Sequence, residues 1–217
     1  MLYFTNPPAL SDEEQEKFQR ILDRYVHDAL FTSTTPLECV RAVHRLIQQN
    51  VIYPRQRLRM EGAVSLSVLP ESDEGRHYIS AYGALVNERA TSYGIARAVD
   101  AILCDPRIGI ESQLVEGCIL AGDAVPSMHL WNIVTVGHKS YVDTACEIMT
   151  NPQAVRRTGE PGLPLEALAA DELPMIEALL PSYQYCLVSD DIMRSDHLWR
   201  AADTPSCLSS YVPVSRR

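Results

Sequence analysis

The hydrophobic pattern changes period partway along the chain, and this constrains the fold more than any other feature of the sequence. Up to Leu103 apolar residues recur at helical spacing, whereas beyond Ile110 they alternate as in strands. Residues 11–30 carry Phe18, Ile21, Leu22, Tyr25, Val26 and Ala29 on one helical face. Ser11 and Glu14 form a capping-box signature at its start. Thr35 and Glu38 repeat that signature, with Pro36 at the first helical position, and Val40, Val43, Leu46 and Ile47 form the buried stripe. Residues 54–76 read as a long charged loop, and 77–86 as a short helix. A further helix spans 91–103, buried along Ile95, Ala96, Val99, Ile102 and Leu103, and Asp105-Pro106 stops it.

Strands are expected at 112–120, 129–136 and 140–146. Gly137-His138 supplies the turn of an antiparallel hairpin between the last two. Residues 150–182 admit one short helix near 165–170. Residues 183–188 alternate as an edge strand, and 189–193 read as a helical turn capped by Ser189. Helices first and strands later predict an α+β architecture in a single domain over 1–217, with a core at about 37–148 and an extension at 149–217.

Composition narrows the function classes. Among 217 residues, 28 acidic and 19 basic side chains give a net charge of −9. Without clustered Lys and Arg, nucleic acid and anionic membrane are not expected partners. No apolar run approaches the ~18 residues of a membrane span. The first residues have neither a basic segment nor a long apolar core, so a cytoplasmic location is expected of the sequence as it stands. A secreted or cell-surface location applies if a leader has been trimmed. The six cysteines are scattered without a CxxC pair, which reads as free, mostly buried thiols rather than a disulfide scaffold or structural zinc site.

Three segments carry the chemistry. AYGALVNERATSYGIA (81–96) places Ser92 at the start of a helix, where the dipole and free backbone N–H groups favour developing negative charge. HLWN (129–132) places His129 at the start of a strand, with Trp131 on the same face. YVDTA (141–145) places Asp143 within the next strand. A nucleophile, a base and an orienting carboxylate follow in that order. Tyr82 and Tyr93, which flank the nucleophile, and Trp131 beside His129 are candidates for auxiliary or substrate-binding roles. A metal site built from His129, Asp143 and Cys146 is not expected, because Asp143 and Cys146 would point to opposite faces of a strand. His27 and His44 read as surface residues.

These motifs resemble the transglutaminase-like superfamily, on the papain-like cysteine-enzyme plan. Its pattern runs A-Y-x-A-L-V-N-x-x-x-x-C-x-G-Y-A, then H-x-W-N, then V-D. The segment Tyr183-Gln184-Tyr185-Cys186-Leu187-Val188-Ser189-Asp190, followed by Met193, His197 and Trp199, is similar to the ending of many bacterial members. The resemblance covers about residues 37–207. It implies a papain-like fold and acyl chemistry on amides: hydrolysis of a peptide or isopeptide, or transfer of a glutaminyl acyl group to an amine. It implies a peptide or protein substrate, an amine acceptor where transfer occurs, and no cofactor. His129 carries over as the base and Asp143 as its orienter.

The chain departs from the pattern at the nucleophile, where Ser92 stands in place of Cys. A thiol with a pKa near 8.5 is readily held as thiolate beside an imidazolium, whereas a Ser hydroxyl needs base catalysis during attack. Three readings are open. Ser92 is a working nucleophile, a mark of a natural pseudoenzyme that binds peptides or protein partners, or a Cys-to-Ser replacement.

Overall fold

The computed structural model describes residues 7–54, 77–120, 126–150 and 183–211. Two helices open the described chain, α1 (Asp12–Phe31) and α2 (Pro36–Asn50). Both start at the capping boxes read from the sequence, with Ser11 accepting from Glu14 N–H and Thr35 from Glu38 N–H. Each such cap contributes about 1 kcal/mol. A short helix α3 (Ala81–Leu85) follows, then α4 (Ser92–Leu103). Nine of the twelve residues of α4 are buried, because its sequence is apolar or small nearly all round. Gly94 lets α4 press against the preceding turn: a Cβ there would lie 2.6 Å from the Tyr78 carbonyl oxygen and 2.8 Å from that of Ser80.

The second half forms a five-stranded sheet with spatial order β4-β3-β2-β1-β5 and antiparallel neighbours. Its strands are β1 (Ser112–Ile119), β2 (Ser127–Val136), β3 (His138–Val142), β4 (Cys186–Val188) and β5 (His197–Trp199). Gly137, at φ +68°, forms the β2–β3 turn, where an L residue would be strained. His138 already belongs to β3 and pairs with Val136.

Both faces of the sheet are covered. Val134 and Val142 join the helical core formed by α1, α2 and α4. Trp131, Ile133 and Tyr141 point the other way, into a second core with Tyr185, Val188, Met193 and Cys207. The architecture is therefore α+β, with helices preceding an antiparallel sheet. No helix among the described residues is long and apolar enough to cross a membrane.

Several expectations need correction. The third strand ends at Val142 rather than at 146, and α5 (Thr144–Thr150) follows at once. Asp143 causes the break: its Oδ1 accepts the Cys146 N–H at 2.9 Å, as an N-cap residue does. Asp143 thus lies at a strand–helix junction, and the opposite-face argument about Cys146 loses its basis. His44 is fully buried, not a surface residue, and bonds Thr144 Oγ1 through Nδ1 at 2.8 Å. The edge strand is β4 alone, and the turn after it is α6 (Asp190–Met193), where the Ser189 side chain makes no cap bond. The expected helix near 165–170 and nearly all of the 54–76 loop lie outside the described residues. All six cysteines are free, four of them buried.

Candidate active site

Strand alternation divides β2 between two surfaces. Leu130 and Asn132 face α4: Leu130 packs with Tyr93 and Ala96, and Asn132 Nδ2 donates to the Ala96 carbonyl at 3.0 Å. Trp131 therefore faces the opposite core, and the His129 ring lies beside it with centroids 6.1 Å apart. The Trp131 ring is fully buried.

His129 Nε2 lies 2.7 Å from Asp143 Oδ2, and both side chains are buried. Sequence reading anticipated this pair. A second imidazole meets the same oxygen, with His197 Nε2 2.9 Å from Asp143 Oδ2. His197 Nδ1 lies 2.6 Å from Asp196 Oδ1, and the Tyr185 hydroxyl donates to Asp196 Oδ2. Asp143 thus accepts three bonds, two at Oδ2 and the Cys146 amide at Oδ1.

The electrostatics follow from these contacts. Burial pushes the Asp143 pKa up, but the attraction and hydrogen bonds of His129 and His197 outweigh it and hold the carboxyl well below the usual range. Burial pushes His197 down, but its bonds to Asp143 and Asp196 outweigh that and raise it. An ionised Asp143 only accepts, so His129 donates to it through Nε2, and Nδ1 is the ring nitrogen that Asp143 does not engage.

His129, Asp143 and His197 also form the cluster among the described residues whose ligand atoms lie close enough to surround a metal ion. Two ligands on one tetrahedral zinc ion sit about 3.3 Å apart. The 2.7 and 2.9 Å separations are those of direct hydrogen bonds instead.

The helical half is built differently. Ser92 opens α4 and is fully buried, and its Oγ has no hydrogen-bond partner among the described residues. Among the described residues no hydrogen bond joins Ser92 Oγ to His129. The N-cap residue Thr91 makes no side-chain cap bond, because its hydroxyl donates to the Tyr78 carbonyl at 3.1 Å. The leading N–H groups of α4 are thus left uncapped by Thr91. Beside Ser92, the Tyr93 hydroxyl donates to Glu116 on β1, and burial together with that bond raises its pKa. Tyr82 packs against His77, with centroids 4.8 Å apart, rather than against the His129–Asp143 pair.

The residue that sequence reading missed is His197, which enters there only as part of the C-terminal resemblance and with no role. A signal was available, since the tripeptide His-Leu-Trp occurs twice, at 129–131 and 197–199. Both copies flank β1, where Gly117 pairs with His129 on one side and Trp199 on the other. Gly117 is what admits them. A Cβ there would lie 2.2 Å from the Leu198 carbonyl oxygen and 2.6 Å from Trp131 Cη2.

No family model matches the sequence. No curated protein matches it. Among solved structures the chain is similar to one titled "Crystal structure of a TGase", at 12% identity and a TM-score of 0.47, covering 62% of this chain. The chain spans about a third of the length of that protein, 33%.

Proposed function

We propose that the chain catalyses acyl transfer or hydrolysis at an amide, with Ser92 as nucleophile, His129 as base and Asp143 as orienter. The observation that carries this reading is the buried His129 Nε2–Asp143 Oδ2 bond of 2.7 Å, which leaves Nδ1 as the working nitrogen. The motif order and the uncapped start of α4 support it. Ser92 Oγ attacks the substrate carbonyl carbon while His129 Nδ1 takes its proton. The leading N–H groups of α4 stabilise the oxyanion. The C–N bond then breaks, His129 returns the proton to the departing amine, and an acyl-serine remains. Water or an acceptor amine attacks the acyl-serine by the same proton path in reverse. The Ser92 hydroxyl has no bond among the described residues to give up before it attacks. Catalytic contacts often tighten only when substrate binds.

The missing Ser92–His129 bond favours a second reading, a non-catalytic domain that binds peptides or protein partners in the same place. A fluorophosphonate probe read by intact mass separates the two. A stoichiometric adduct, lost in Ser92→Ala, is expected of the enzyme. Absence of an adduct, with Ser92→Cys alkylated no faster than free cysteine, leaves the binding domain.

A further inference from the structure

We propose that His197 is a positioning residue, clamped between Asp143 and Asp196, that holds the Asp143 carboxylate in place for His129. The inference rests on the acyl-chemistry reading for its purpose but on the side-chain geometry for its substance.

Asp143 Oδ2 receives one imidazole N–H from each side, at 2.7 Å from His129 and 2.9 Å from His197. A carboxylate bonded by His129 alone at that oxygen would be free to swing about its Cβ–Cγ bond. The second imidazole and the Cys146 amide at Oδ1 together remove that freedom. His197 is itself fixed, because its second ring nitrogen meets Asp196 at 2.6 Å and its ring packs against Trp131 at 5.1 Å between centroids.

The charges fit this role. A His197 ring that donates through both nitrogens to two carboxylates carries a positive charge. The groups facing it are Asp143, Asp196, His129, Tyr185 and Trp131. With both acids ionised, Asp143, His197 and Asp196 sum to a single negative charge. His129 therefore faces the same net charge that a lone aspartate would supply. Asp196 completes this balance, and its 26% side-chain exposure connects the buried chain to water. Gly117 makes the arrangement possible by letting β5 approach β1.

The test is NMR of the full chain with 15N-labelled histidine. In the unaltered protein His129 is expected as the Nε2–H tautomer, with that proton protected from solvent. In His197→Gln it should exchange about tenfold faster, on the scale at which partners of oriented histidines act. Asp196→Asn keeps the His197 ring in its packing and should give a smaller change in the same direction. It also serves as the test if His197→Gln does not fold. Amide spectra confirm that the fold is kept, so a packing role alone would leave the His129 signal unmoved. An unchanged His129 tautomer and exchange rate in the folded variants overturns the proposal. Alkylation of Ser92→Cys against pH judges the acyl-chemistry reading separately. A free-cysteine profile there, with the His129 response intact, removes that reading and leaves the positioning role.

Discussion

The strand half and the helix half of the site are built on opposite terms. On the strands, every named atom of Asp143 and His197 has a partner within 2.9 Å. At the start of α4, Ser92 Oγ is buried with none among the described residues, and Thr91 has turned its hydroxyl away. A satisfied buried network is rigid, whereas an unsatisfied buried hydroxyl costs free energy until something bonds it. The strand half is therefore bonded throughout, whereas the helix half keeps a buried hydroxyl without a partner among the described residues.

Removing the keystone of the strand half should have the largest effect. Asp143→Ala leaves two buried imidazoles facing each other and takes the cap from α5, and should cost about 3–5 kcal/mol by urea denaturation. A cost of less than about 1 kcal/mol would mean that the network contributes little to the folded state.

The pH dependence of stability is the next effect. Asp143 is held below its unfolded value, so its contribution is present above about pH 3.9 and lost as pH falls through the folded value. His197 is raised, so its contribution is full below about pH 6.5 and lost as pH rises through the folded value. Stability should therefore peak between about pH 4 and 6.5. Replacing His197 with Gln should remove the alkaline limb and keep the acid one, as followed by thermal melts.

The smallest effect should have the opposite sign. Ser92→Ala removes a buried hydroxyl that has no partner among the described residues, and should stabilise the fold by about 1 kcal/mol while abolishing probe labelling. A loss of stability of similar size would mean that the hydroxyl is bonded in solution and that the two halves are more alike than the contacts show.

Much of this molecule is legible in its sequence, and the legible parts share a cause. The caps at Ser11 and Thr35 depend on a partner three residues away, and the β2–β3 hairpin turns on one glycine. The His129–Asp143 pair spans 14 residues across that hairpin, so once its register is set the contact follows. The end of β3 is ambiguous in the sequence because Asp143 fits two local patterns, the next residue of an alternating strand and the N-cap of a helix. Packing of α5 against α2 and α4 decided for the cap.

His197 and His44 belong to the other kind. His197 reaches Asp143 from 54 residues away, and His44 reaches Thr144 from 100. No short-range rule ties such residues together, because at such separations the intervening chain sets no register between them. The sequence determined the helices, their caps, the hairpin and the pairing of His129 with Asp143 across it. Only the tertiary structure decided that a second His-Leu-Trp strand closes on β1 beside Gly117, that its histidine shares the oxygen of Asp143, and that the Ser92 hydroxyl is buried and unbonded among the described residues. Local patterns fix elements through neighbours a few bonds away, whereas a buried network is fixed by which faces the whole chain must pack together.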